Sequence, residues 1–144
     1  MTSLELDALQ RAVAAENAIV YGYGLVGSHL TGSAEAYADA SLQAHLARQS
    51  QLEAMIRAAG ATPVAASPAY RSPIAVTNAT SAARLGAYLE EAAEGAAWDL
   101  VSTAAPSSDV RRLAVAWLSD ATSRATRWRG GLPDAFPGRP PRST

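Results

Sequence analysis

Four side chains have the types and the spacing to do chemistry together: Glu16, His45, Glu90 and Asp120. Each falls on a different helical stretch. Carboxylates with an imidazole are a ligand set for a cation such as Fe or Mn. A helical bundle that holds two such ions wants a Glu from each of two helices and a Glu-x-x-His pair from each of the others. Here the second stretch reads Leu42-Gln-Ala-His45, with Leu where that Glu is needed. The fourth reads Trp117-Leu-Ser-Asp120, with neither Glu nor His. A two-metal site lacks too many ligands. A single ion on Glu16, His45, Glu90 and Asp120 is the most that remains.

The competing chemistry is a metal-free ion-pair network. A buried carboxylate needs a partner. Arg48 is placed to pair with Glu16, and Arg124, four residues after Asp120, to pair with Asp120 or Glu90. A carboxylate–guanidinium fork satisfies both charges without a metal. His45 is then a satisfied core histidine bonded to the Tyr21 or Tyr23 hydroxyl. The buried polar network expected is Glu16, His45, Arg48, Glu90, Asp120 and Arg124, with no cofactor; Fe or Mn is the alternative.

Four helices must position these groups. Leu6, Leu9, Val13, Glu16, Val20, Tyr23, Gly27 and Leu30 recur at alternating steps of three and four, the seam of a long helix in a bundle. Thr2 and Glu5 read as its capping box. Ser33 is expected to cap a second helix carrying Leu42, His45, Leu52 and Ile56, which Gly60 ends. Residues 61–77 hold three prolines and no helical period. Seventeen extended residues reach roughly 55 Å, more than the roughly 36 Å of a 24-residue helix. This link can therefore run the length of a bundle. A third helix is expected over about 78–104, with Leu85, Leu89, Ala93 and Leu100 inward. A fourth follows Pro106-Ser-Ser-Asp109 and ends at Gly130-Gly131, with Val110, Leu113, Trp117, Ala121 and Trp128 along one side. Short, long and short connections predict an all-α, ferritin-like four-helix bundle over 1–131, with a Pro-rich tail over 132–144 in which Phe136 is the docking residue.

Composition narrows the function classes. The 144 residues suit one domain with a real core. The absence of Cys excludes disulfides and thiolate metal sites and fits a cytoplasmic protein. No basic, apolar leader opens the chain and no apolar run suits a membrane span. Residues 1–105 carry 10 acids and 5 Arg, a net of −5, whereas 106–144 carry 3 acids and 7 Arg, a net of +4. Such a split suits docking between helices; an anion or nucleic-acid surface on Arg111, Arg112, Arg127, Arg129, Arg139 and Arg142 is a further alternative. Gly22-Tyr-Gly24-Leu-Val-Gly27 matches the dinucleotide fingerprint, but the helical seam runs through it and no second parallel strand follows. Its glycines are expected to admit a close neighbouring helix or subunit.

Several stretches resemble a known family. They are Ala14-Ala-Glu-Asn-Ala-Ile-Val-Tyr-Gly-Tyr-Gly24, Ala44-His-Leu-Ala-Arg-Gln49, Ala61-Thr-Pro-Val-Ala-Ala-Ser-Pro-Ala-Tyr70, Trp128-Arg129 and Ala135-Phe-Pro-Gly138. The chain is similar over nearly its whole length to an actinobacterial ferritin-like domain family of unknown function. That resemblance implies the four-helix bundle and no particular activity. The chain departs from it at Asn17, where relatives carry His, and at Leu46, Gln49 and Ser50, where they carry an Arg-rich run ending in Asp. The reading is a non-enzymatic, cytoplasmic bundle with a degenerate metal site. It is expected to be a homodimer with a structural or protein-interaction role and no membrane partner. A metal-binding protein or metal-dependent oxidoreductase is the rival.

Overall fold

The structure is a computed structural model that describes residues 1–130. It is an all-α bundle of four helices: α1 (Ser3–Gly27), α2 (Gly32–Ala58), α3 (Ala79–Thr103) and α4 (Asp109–Arg129). The proposed tail, Phe136, Arg139 and Arg142 lie outside the described residues.

Local chemistry sets the helix ends. The Thr2 hydroxyl accepts from the Glu5 amide at 3.1 Å, while Glu5 itself is buried. α1 stops at Gly27, three residues short of the expected Leu30. At its end the Ser28 hydroxyl donates to the Leu25 carbonyl and loops the chain out. The α2 cap is Thr31, not Ser33, and it makes no side-chain cap bond. Gly32, at φ +62°, makes the turn that lets the helix begin earlier. At the other end Gly60 sits at φ +81°, with the Ala61 amide on Ile56 O and the Gly60 amide on Arg57 O. That pair of bonds is a Schellman stop. Asn78 and Ser81 form a reciprocal capping box for α3, and Ser108 caps α4.

α1 packs against α2 and α3, and α3 packs against α4. Side chains join α2 to α4: Tyr37 lies 5.1 Å from Trp128, and Arg48 lies over Trp117. Small residues keep the helices close, with Ala8, Ala12, Ala38, Ala82, Ala93 and Ala121 all buried. The link over residues 59–78 runs back along α1. The Gln10 amide holds it by donating to Thr62 O at 2.8 Å and accepting from the Val64 amide at 2.9 Å. Further along, Tyr70 meets Tyr21. The link thus spans the bundle, and α3 starts beside the end of α1.

Of the three glycines in the false fingerprint, one has a packing reason within the chain. A Cβ on Gly22 would meet the Leu89 side chain at 2.7 Å, whereas Gly24 and Gly27 have nothing within 4 Å among the described residues. Gly86 is the matching contact on α3, where a Cβ would meet Trp128 at 2.8 Å. Among the described residues no helix is long and apolar enough to cross a membrane.

Candidate functional site: a histidine between two buried carboxylates

Glu16 and Tyr23 are seven residues apart on α1 and share its inner face. His45 projects from α2 and Glu90 from α3. All four side chains are essentially sealed from solvent, at 0–1% exposure. His45 occupies the centre. Its Nδ1 lies 2.8 Å from Glu16 Oε2, and its Nε2 lies 2.8 Å from Glu90 Oε1. The Tyr23 hydroxyl donates to the same Glu90 oxygen at 2.5 Å and accepts from Trp128 Nε1 at 3.0 Å. The Tyr23 ring stacks on the imidazole, centroids 5.4 Å apart. One chain of hydrogen bonds therefore runs Trp128–Tyr23–Glu90–His45–Glu16 and touches all four helices.

Electrostatics follow from this placement. Burial works against a charged imidazole, but hydrogen bonds and the charges of Glu16 and Glu90 outweigh it and hold the His45 pKa at about 9. The ring is then an imidazolium that donates from both nitrogens. Burial pushes the Glu16 carboxyl up, against the pull of His45 and Arg48. Burial, with the neighbouring Glu90 charge, keeps the Tyr23 phenol protonated by pushing its pKa far up.

Glu16 takes His45 as its hydrogen-bond partner, where a fork with Arg48 was expected. Arg48 instead reaches outward, with Nη2 3.3 Å from Asp120 Oδ2 and its guanidinium 5.1 Å from the Trp117 ring centre. Its long stem allows this, and the burial of its head lowers its pKa. Asp120 is half exposed and lies outside the sealed cluster. Among the described residues Arg124 pairs with neither Asp120 nor Glu90, which take Arg48 and His45. His45 bonds no tyrosine hydroxyl; it meets Tyr23 through the shared Glu90 oxygen and the ring stack. The Tyr23 hydroxyl was expected on His45 and serves Glu90 instead, and Trp128 stood in the seam only as a packing residue.

Both imidazole nitrogens are engaged by carboxylates, so an ion on His45 would have to displace one of these hydrogen bonds and its proton. Among the described residues no group of three or more His, Cys, Asp or Glu is arranged to hold an ion. Among the described residues, the buried acceptors Glu16 Oε1 and Glu90 Oε2 have no hydrogen-bond partner, nor do the donors Arg48 Nη1 and Trp117 Nε1. The basic side chains of α4 are largely engaged. Arg112 pairs with Asp109, Arg129 with Glu91, Arg127 covers the Tyr37 ring and Arg111 donates to Ala104 O.

The model of a family described as a domain of unknown function (DUF4439) matches residues 8–141. The chain belongs to that family. Among solved structures, the DUF4439 chain is similar to a conserved hypothetical protein from Mycobacterium tuberculosis, at 31% identity and a TM-score of 0.85. The match covers 90% of this chain and 98% of the other. No curated protein matches.

Proposed function

We propose that this DUF4439 protein is a ferritin-like bundle of actinobacterial origin that lacks a working di-metal site. In this reading it serves in the cytoplasm as a homodimeric structural or protein-interaction element, not as an enzyme. The observation that carries the reading is the double engagement of His45, with both ring nitrogens 2.8 Å from carboxylates. A metal ligand has to offer a lone pair, and an ion on His45 would have to displace one of these hydrogen bonds and its proton. Leu42, where a Glu-x-x-His pair would put its Glu, points the same way. The long link between α2 and α3 supports the ferritin-like assignment, and the mycobacterial relative supports the origin.

The test is elemental analysis of the purified protein, before and after aerobic incubation with Fe(II) and with Mn(II). Trace, substoichiometric metal is the expected result. Stoichiometric Fe or Mn that disappears in Glu16→Ala and His45→Ala would establish the rival, a metal-binding protein or oxidoreductase. The unpartnered oxygens Glu16 Oε1 and Glu90 Oε2 are the observation that favours that rival. Light scattering on the same sample reads the oligomeric state, and a monomer at high concentration removes the dimer.

A further inference from the structure

A cavity of about 240 Å³ lies between α1, α3 and the link, on the outer side of α1 from the buried network. Its apolar floor includes Ile19, Leu85 and Leu89, and the link from Tyr70 to Pro73 roofs it. Tyr21, Tyr70 and Tyr88 stand around it, with the first two rings 5.7 Å apart. Tyr21 and Tyr88 are 37% and 46% exposed, so both rings can be reached from solvent. Among the described residues the lining includes one cation, Arg71, and no carboxylate.

We propose that this cavity binds a small planar aromatic anion. The ring system lies among the tyrosines on the apolar floor, and the carboxylate meets Arg71. Aromatic side chains hold flat rings by offset or edge contacts. A guanidinium grips a carboxylate through two parallel hydrogen bonds, and here no acid in the lining competes for it. The volume lies below the several hundred Å³ of drug-sized pockets and suits about two fused rings.

The roof supplies the entry. The link is held at Gln10 through Thr62 and Val64, and again at Ser81, whose hydroxyl accepts from the amides of Thr77 and Asn78. Between those points, residues 68–73 bond within the link, as in Ser67 to Tyr70 and Ser72 to Ile74, and make no hydrogen bond to a helix among the described residues. Lifting this segment breaks no hydrogen bond to those helices and parts only side-chain contacts such as Tyr70 on Tyr21. The depth depends on Gly22. A Cβ there would sit 2.7 and 2.8 Å from the two Leu89 methyl carbons and drive that side chain into the cavity.

The proposal does not depend on how the His45 network is read. Its test is titration of the full chain with 2-naphthoate, with neutral 2-naphthylmethanol as the comparison, followed by ligand fluorescence. Saturable binding of naphthoate is expected. It weakens by roughly tenfold in Arg71→Gln, the equivalent of one charge-assisted hydrogen bond. It weakens again in Tyr88→Ala and is lost in Gly22→Ala, with helix content by circular dichroism checking each fold. Tyr88 is on the rim, so its variant tests the site even if Gly22→Ala fails to fold. No saturable binding, equal affinity for the neutral alcohol, or unchanged affinity in both Arg71→Gln and Tyr88→Ala would overturn the proposal.

Discussion

Raising the pH should unlock this bundle through His45. In the folded chain the imidazole holds its proton up to about pH 9, against an ordinary value of 6.5. Each tenfold difference in proton affinity between folded and unfolded chains is about 1.4 kcal/mol. His45 therefore contributes on the order of 3 kcal/mol. Its folded value is raised, so the contribution is complete below 6.5 and is lost as pH rises through about 9. Glu16, also raised by burial, works in the same direction from a more acidic starting point. The chain has neither Lys nor Cys, and a His29→Gln background leaves His45 as the sole imidazole. Urea unfolding of that protein between about pH 6 and pH 9.5, followed by circular dichroism, should show stability falling by that amount. A total of 5–15 kcal/mol is typical of a domain, so the fall is large enough to read. In His45→Gln the neutral-pH stability drops and the slope flattens. A flat wild-type curve, or an unchanged slope in His45→Gln, would show that His45 does not set the pH dependence.

Other substitutions separate contributions that look alike on paper. Tyr23→Phe removes a hydroxyl that serves both Glu90 and Trp128. A loss of about 1.5–3 kcal/mol is expected, because the acceptor is a buried carboxylate; a change under about 0.5 kcal/mol in urea unfolding would demote that bond. Gly86→Ala should destabilise by roughly 1–2 kcal/mol, since overpacking against Trp128 exceeds the gain in helix propensity. Gly24→Ala, with nothing within 4 Å among the described residues, should stabilise by about 0.5–1 kcal/mol; thermal melts of the two variants should shift in opposite directions. Asp99→Ala breaks an ion pair with Arg11 at 60% and 38% exposure and should change stability by less than about 1 kcal/mol, an effect that added salt erases.

The bundle was legible because its signals are local. Thr2, Asn78 and Ser108 cap as their types suggest, Gly60 stops α2, and the proline-rich link declares its length. Residues Ser33 and Leu30 misled because a cap or a final turn is chosen by a few tenths of a kcal/mol of competing local bonds. The site was legible in part: of Glu16, His45, Glu90 and Asp120, expected together, the first three lie together and Asp120 stands outside, half exposed. Partner choice was not legible. Counting turns fixes height to about one turn of 5.4 Å, which is longer than the difference between an imidazole and a guanidinium partner for Glu16. Tyr23 reaches Glu90 because α1 and α3 approach through Gly22 and Leu89, and a single helix pattern carries no record of which neighbour lies on which side.

The His45 bridge also joins two hairpins. α1 with α2, and α3 with α4, make contacts near in sequence, which cost the least chain entropy to close. Glu16 and His45 belong to the first hairpin and Glu90 to the second, so the two carboxylates come together only when the hairpins dock. Docking with a neutral ring would bury the second acid against a lone pair. Folding therefore takes up a proton whenever the medium is basic enough to have left the open imidazole neutral. If the hairpins form before they dock, that proton is taken up at docking, and refolding should slow with rising pH through that range.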